Sequence, residues 1–394
     1  MIKKDKFLNG PVNVVRLEGT VKNTKKIIYI LFDVHNENYE CDNINSIDIN
    51  KYIYKIINKQ QIASHNNNNN IIYDLFLETS AKPELNYHHK GNDYLANMRR
   101  LFTKLHNLNK IEPIKNLRLH FFDIRDVLFG NLWDIDNAEN TIKEILFQGR
   151  MEYDQLENIT NLLNGILATI EKCVDLLNNN VTYMSSNEKI NKEIDNDFDK
   201  ETIDIFINNL IYKIKNKYND EKIKNKMNNI IKNMLIVNFN KSHSDIKKLI
   251  NNIPKIFAAS LNITKLDSLR KFEFEFMDLL YENYKLSAHI ANEVMSTFAS
   301  FIDIYFLRRF LDKEYINHAI HYSGGFHSTN TILLLIKDFN FKITNIANNP
   351  LNVEIKDLHE IIKKSNRAED IDIYFVDNNM TQCSNIKGFP KNFM

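Results

Sequence analysis

The chain has 394 residues and a mass of 46.5 kDa, long for one ordinary domain and short for three. Hydrophobic residues make up 43% and charged residues 26%, so a sizeable core is available and the composition argues against wholesale disorder. Lys and Arg number 51 against 50 Asp and Glu, a net charge of +1 that supplies no global field for nucleic acid, and no nucleic-acid partner is expected. No window approaches the roughly 18 uninterrupted apolar residues of a membrane span.

The first region, 1–135, alternates short apolar runs with amphipathic stretches. Lys26-Ile27-Ile28-Tyr29-Ile30-Leu31-Phe32 predicts a buried strand. Ser46 then caps a predicted helix whose Ile49, Tyr52, Ile53, Ile56 and Ile57 share one face. A second strand is expected at Ile71–Leu77, a helix at 92–108 and a third strand at Leu117–Phe122. Strand, helix, strand, helix, strand implies right-handed crossovers and a parallel sheet.

The middle, 136–312, repeats apolar residues at helical spacing, as in Ile159, Leu162, Leu163, Ile166 and Ile170, and reads as a helical insertion or cap. The last region, 313–394, returns to alternation. Asn317–Tyr322 reads as a strand, Ser323-Gly324-Gly325 as a turn, and Ser328–Asp338 as a helix. Phe341–Thr344 and Ile371–Phe375 are further strand candidates. The expected fold is therefore α/β, with a mainly parallel sheet built from both ends of the chain and a large helical insertion between them.

In parallel sheets, ligands bind beyond the carboxyl ends of the strands. The predicted strands end in Asp33-Val34-His35, in Glu78, in Asp123-Ile124-Arg125-Asp126 and in Gly324-Gly325-Phe326-His327. Asp33 and His35 are two apart, so in extended backbone both point the same way, which suits metal ligation or an acid-oriented base. Glu78 ends an apolar run, where a carboxylate is partly desolvated. Arg125 is placed to hold an anionic group or to join an ion-pair cluster with Asp123 and Asp126. The glycine pair permits a positive φ and close backbone approach, and it presents His327 near a helix N-terminus. His120 and His321, within apolar strands, read as core histidines. Cys41, Cys173 and Cys383 are distant and lack a CxxC pattern, so no disulfide is expected and a reducing, cytoplasmic setting fits.

Those strand-end residues resemble the superfamily of the erythromycin esterases, the Tiki and TraB-type proteins and a bacterial haem-uptake lipoprotein group. Asp33-Val34-His35 stands for its first motif, Glu78 for its glutamate strand and Gly324-Gly325-Phe326-His327 for its late GxxH. The resemblance implies a site lined by His35, Glu78 and His327, with Asp33 and Arg125 as further members. Phe32 stands where the family has glycine. The use of 59 Asn against 9 Gly and 6 Pro also resembles the proteins of large DNA viruses, some protists and low-GC bacteria. The resulting expectation is a metal-assisted hydrolase-like protein. A divalent ion would be held by Asp33, His35, Glu78 and His327, and substrate would lie against Arg125, Gly324 and Gly325. The alternative is a non-catalytic viral protein that binds a protein partner through 136–312, in the host cytoplasm or in the virion.

Overall fold

The computed structural model describes residues 7–34, 41–66, 71–79, 94–108, 116–124, 133–184, 200–263, 269–377 and 379–393. The chain divides into two compact units, Met1–Ile124 with Tyr305–Met394, and Arg125–Ile304.

The first unit holds strands β1 (Phe7–Asn9), β2 (Asn13–Val21), β3 (Thr24–Asp33), β4 (Ser46–Asp48), β5 (Tyr73–Leu77), β6 (Leu117–Phe121), β7 (His318–Gly324), β8 (Lys342–Ile346) and β9 (Cys383–Asn385). Six of them form one sheet in the order β6-β5-β7-β3-β2-β8, and β4-β1-β9 form a small second sheet. Neighbours β6, β5, β7 and β3 run parallel, whereas β2 is antiparallel to both β3 and β8. The sheets are mixed, which corrects the expectation of a mainly parallel one. The cause is a hairpin. Lys22 and Asn23 both take positive φ (51° and 65°), the geometry of a two-residue turn that folds β2 directly back on β3.

Side-chain alternation divides the large sheet into two unlike faces. Ile27, Tyr29, Leu31, Tyr73, Leu75, Leu77, Ile320 and Tyr322 pack into one apolar cluster with helices α1 (Ile49–Asn66) and α2 (Tyr94–Leu108). Helix α1 contributes Ile49, Ile53, Ile56 and Ile57, the predicted stripe, although Ser46 belongs to β4 and the helix begins at Ile49. The residues between them on the strands, including Asp74, Phe76, His120 and His321, face the other way. Phe76 and His321 meet Phe306 there, near the C-terminal end of a long helix that finishes at Asp312. The predicted strand at Ile371–Phe375 is instead a pair of tight helical turns, Ala368–Asp370 and Asp372–Tyr374. Asp370 accepts the backbone N–H groups of Asn366 and Arg367, and the Phe375 N–H returns to Asp372, so local bonds replace a ladder.

The second unit is helical: α3 (Trp133–Gln148), α4 (Tyr153–Asn178), α5 (Lys200–Asn216), α6 (Glu221–Ile231), a π-helical turn at Lys232–Ile236, α7 (Val237–Ile263) and most of α8 (Leu269–Asp312). Helix α4 buries Ile159, Leu163, Ile166, Ile170, Cys173 and Leu177, a stripe at helical spacing. Among the described residues no helix is long and apolar enough to cross a membrane.

Cys41 and Cys383 form a disulfide across a sequence separation of 342, joining the segment before β4 to β9. This corrects the expectation of three unpaired cysteines. Distant positions in sequence meet because β1 pairs with both β4 and β9, and no spacing rule can detect such a pair.

One buried lysine closes the C-terminal end of α8. Lys26, 1% exposed, donates to the carbonyls of Phe310 (2.9 Å), Lys313 (2.8 Å) and Ile316 (2.5 Å). Burial pulls its ammonium down to about 8, so it stays protonated at neutral pH. A cation there satisfies the Phe310 carbonyl in the last turn of the helix and the Lys313 and Ile316 carbonyls of the turn that follows, and it complements the negative end of the helix dipole. Lys26→Met removes the donor these carbonyls share and should lower unfolding free energy by roughly 2–3 kcal/mol, read from urea denaturation; an unchanged midpoint would contradict the cap.

Candidate active site at the strand edge

Because β6, β5, β7 and β3 are parallel, their carboxyl ends form one edge. Asp33 is level with Gly324 across β3 and β7, and Leu77 is level with both Tyr322 and Phe121. The Glu78 N–H donates to the Tyr322 carbonyl (3.1 Å), which carries the β5 ladder one residue further and fixes the Glu78 backbone at that edge.

Helix α9 (Gly325–Phe339) begins immediately after β7, with Gly324 as its N-cap. The expected glycine turn is thus absent. Gly324 has φ −55°, outside the left-handed region, and the strand passes straight into the helix. The Gly324 N–H donates to Glu78 Oε2 at 2.6 Å. The other oxygen, Oε1, lies 3.2 Å from His327 Nε2, in the first turn of α9. The two side chains are 2% and 5% exposed, so the pair is withdrawn from water and its attraction is little screened. A carboxylate that holds one imidazole nitrogen fixes the ring's tautomer and orientation, the arrangement of an acid-oriented proton carrier.

Asp33 is also buried, but it joins a different partner, with Oδ1 accepting from the Tyr322 hydroxyl at 3.4 Å. Strand alternation explains the separation. Asp33 follows Tyr29 and Leu31 towards the α1–α2 face, whereas Glu78 follows Asp74 and Phe76 to the opposite one. Among the described residues no group of three or more His, Cys, Asp or Glu side chains is placed to hold a metal ion. The expected ligand set is accordingly not assembled by Asp33, Glu78 and His327. His35, Arg125 and Asp126 lie outside the described residues.

Two buried polar clusters escaped sequence reasoning. Asp74, wholly buried in β5, takes a bidentate guanidinium from Arg118 (2.7 and 2.6 Å) and His120 Nε2 at 2.7 Å. The available signal was one acid in an otherwise apolar strand, facing Arg and His at i and i+2 of the next. The second cluster joins His321 Nδ1 to Ser323 Oγ (3.2 Å) and Ser323 Oγ to Ser328 Oγ (2.9 Å), a polar bridge from β7 to α9. His321 is fully buried, with Phe122 and Phe306 rings 4.8 and 4.3 Å away. Burial first, and the neighbouring His327 second, push it down to about 3, against the weaker pull of Glu78.

Fold and site together define an α/β protein with a mixed sheet, a buried carboxylate–imidazole pair at its parallel edge, and a helical unit inserted in sequence. The chain belongs to the family of unknown function DUF5847, whose sequence profile matches residues 6–394. Relatives include three uncharacterised proteins of Acanthamoeba polyphaga mimivirus. One is 32% identical, covering 98% of this chain and 97% of its own; the others are 28% identical (98% and 98%) and 29% identical (100% and 98%). No solved structure matches. A giant-virus origin fits the Asn-rich composition. The family match overturns the resemblance to the erythromycin esterases and the Tiki and TraB-type proteins. That resemblance rested on motifs of three or four residues, and the late one proves to be a strand running directly into a helix.

His321 carries a pH signature. Its folded value lies below the unfolded 6.5, so between pH 6.5 and about 3 the unfolded chain binds a proton that the fold refuses. Stability is thus intact above 6.5 and lost as pH falls. Relative to His321→Gln, the wild type should lose roughly 3 kcal/mol between pH 7 and pH 4, measured by urea titration at each pH; parallel curves would contradict a buried neutral imidazole.

Proposed function

We propose that this protein is a hydrolase-like enzyme whose chemistry centres on the Glu78–His327 pair. The observation that supports the reading is the desolvated carboxylate–imidazole contact at the common carboxyl edge of four parallel strands. In this reading Glu78, anchored through Oε2 by the Gly324 N–H, orients the His327 ring. His327 then takes a proton from water and returns it to the leaving group of an ester or amide. A divalent ion, if the reaction uses one, would draw on the same two side chains, and its effect is part of the test.

The test is turnover of a panel of chromogenic esters and peptide anilides, with chelator and with added zinc or manganese. Wild-type protein should exceed the uncatalysed rate. His327→Gln and Glu78→Gln, with unchanged circular dichroism, should each lose roughly a hundredfold or more. Absence of turnover in every condition, or variants as active as the wild type, would end this reading.

A further inference from the structure

The outer strand of the large sheet, β6, borders a cleft of about 170 Å³ on the face that carries His120. Phe76, Phe122, Phe306 and Tyr305 wall it, and His120 and Arg309 are the lining side chains able to carry positive charge. The walls are held by mutual packing. Phe306 meets Phe76 edge-on at 4.9 Å and Phe122 at 5.7 Å, and His120 stacks on Phe76 at 4.4 Å.

The charges in and beside the cleft differ in how far they are satisfied. Asp74 is engaged by Arg118 and His120 together. His120 is held below its ordinary value by burial first, opposed by its bond to Asp74, with the Arg309 charge lowering it further. It therefore adds no second cation at neutral pH. Arg309 is half-buried and differs at one atom. Its Nε is buried and has no hydrogen-bond partner among the described residues. A guanidinium keeps its charge at every accessible pH, and a buried donor without an acceptor is a standing cost that a bound oxygen would remove.

We propose that this cleft binds a small carboxylate on a flat apolar body, an aryl carboxylate. Arg309 engages the carboxylate, and the ring lies against Tyr305, the wall residue that keeps exposed surface, with Phe122 and Phe306 buried behind it. A cation is repelled by Arg309, and a neutral ring leaves Nε unpaired. Inorganic phosphate needs more donors than one guanidinium offers among apolar walls. The volume is well below that of a drug-sized pocket, which restricts the ligand to about one ring and its acid group. This site is distinct from the Glu78–His327 pair and does not depend on the hydrolytic reading.

The experiment is calorimetric titration of the full-length chain with benzoate, benzamide and inorganic phosphate. Benzoate should bind saturably, with benzamide and phosphate at least about tenfold weaker. Arg309→Gln should weaken benzoate by about tenfold to a hundredfold, and Arg309→Lys, which keeps the charge without the planar fork, should fall between. A thermal melt of each variant checks its fold. Should Arg309→Gln not fold, the benzoate-to-benzamide ratio on the wild type decides. No saturable benzoate binding, equal affinity for benzoate and benzamide, tighter binding of phosphate than of benzoate, or a folded Arg309→Gln that binds benzoate as the wild type does would each overturn the proposal.

Discussion

A late strand inserted between two early ones is the constraint on which the rest depends. β7 pairs with β3 on one side and β5 on the other, all parallel. Parallel neighbours cannot be joined by a hairpin, so their connections are long, and here the connection from β6 to β7 contains the whole helical unit. Closing so large a loop costs only slightly more than closing a modest one, because the entropy grows with the logarithm of length. The strand pairing and the apolar cluster on α1 and α2 must outweigh that cost. Once they do, Glu78, Gly324 and His327 meet at the shared strand edge. Lys26 secures the other end of the same strand, since it caps the turn that leads from α8 into β7.

The two faces of the sheet differ in what they bury. One face is almost wholly apolar and supplies the driving force. The other carries Asp74, His120, His321, Ser323 and Glu78, all buried. Burying such groups is unfavourable unless each finds a partner, and the partners come from different elements: Arg118 from β6, Ser328 and His327 from α9. A polar face of this kind adds less to stability than an apolar one of equal area. It does tie β5, β6, β7 and α9 together, and beside it lies an aromatic cleft in which the buried Arg309 Nε has no hydrogen-bond partner among the described residues.

Much of the scaffold was legible from periodicity. The buried run at 26–32, the Ile49–Ile57 stripe, the strands near 71–77, 117–122 and 317–322, and the helical middle are all visible as short apolar runs or helical patterns. β2 was not legible, because Asn13–Val21 mixes Arg16, Glu18 and Gly19 with its apolar residues, and its two-residue turn is Lys22-Asn23 rather than the Asn-Gly that such a turn favours. That omission made the sheet look mainly parallel. The shared edge of Glu78 and His327 followed from reading strand ends, but the face each side chain takes did not. Asp33 and Glu78 end adjacent parts of one edge yet point to opposite sides, which depends on register, and register is a property of pairing rather than of either strand alone. The Asp74–Arg118–His120 cluster and the Cys41–Cys383 bond were invisible for the same reason.

The central claim is that Glu78 and His327, almost 250 positions apart, are energetically one unit at the strand edge. A double-mutant cycle on unfolding free energy, with Glu78→Gln, His327→Gln and the double variant, measures that coupling directly. The structure predicts a non-additive term of about 1–2 kcal/mol. Losses that add to within about 0.3 kcal/mol would show two independent side chains and contradict the account.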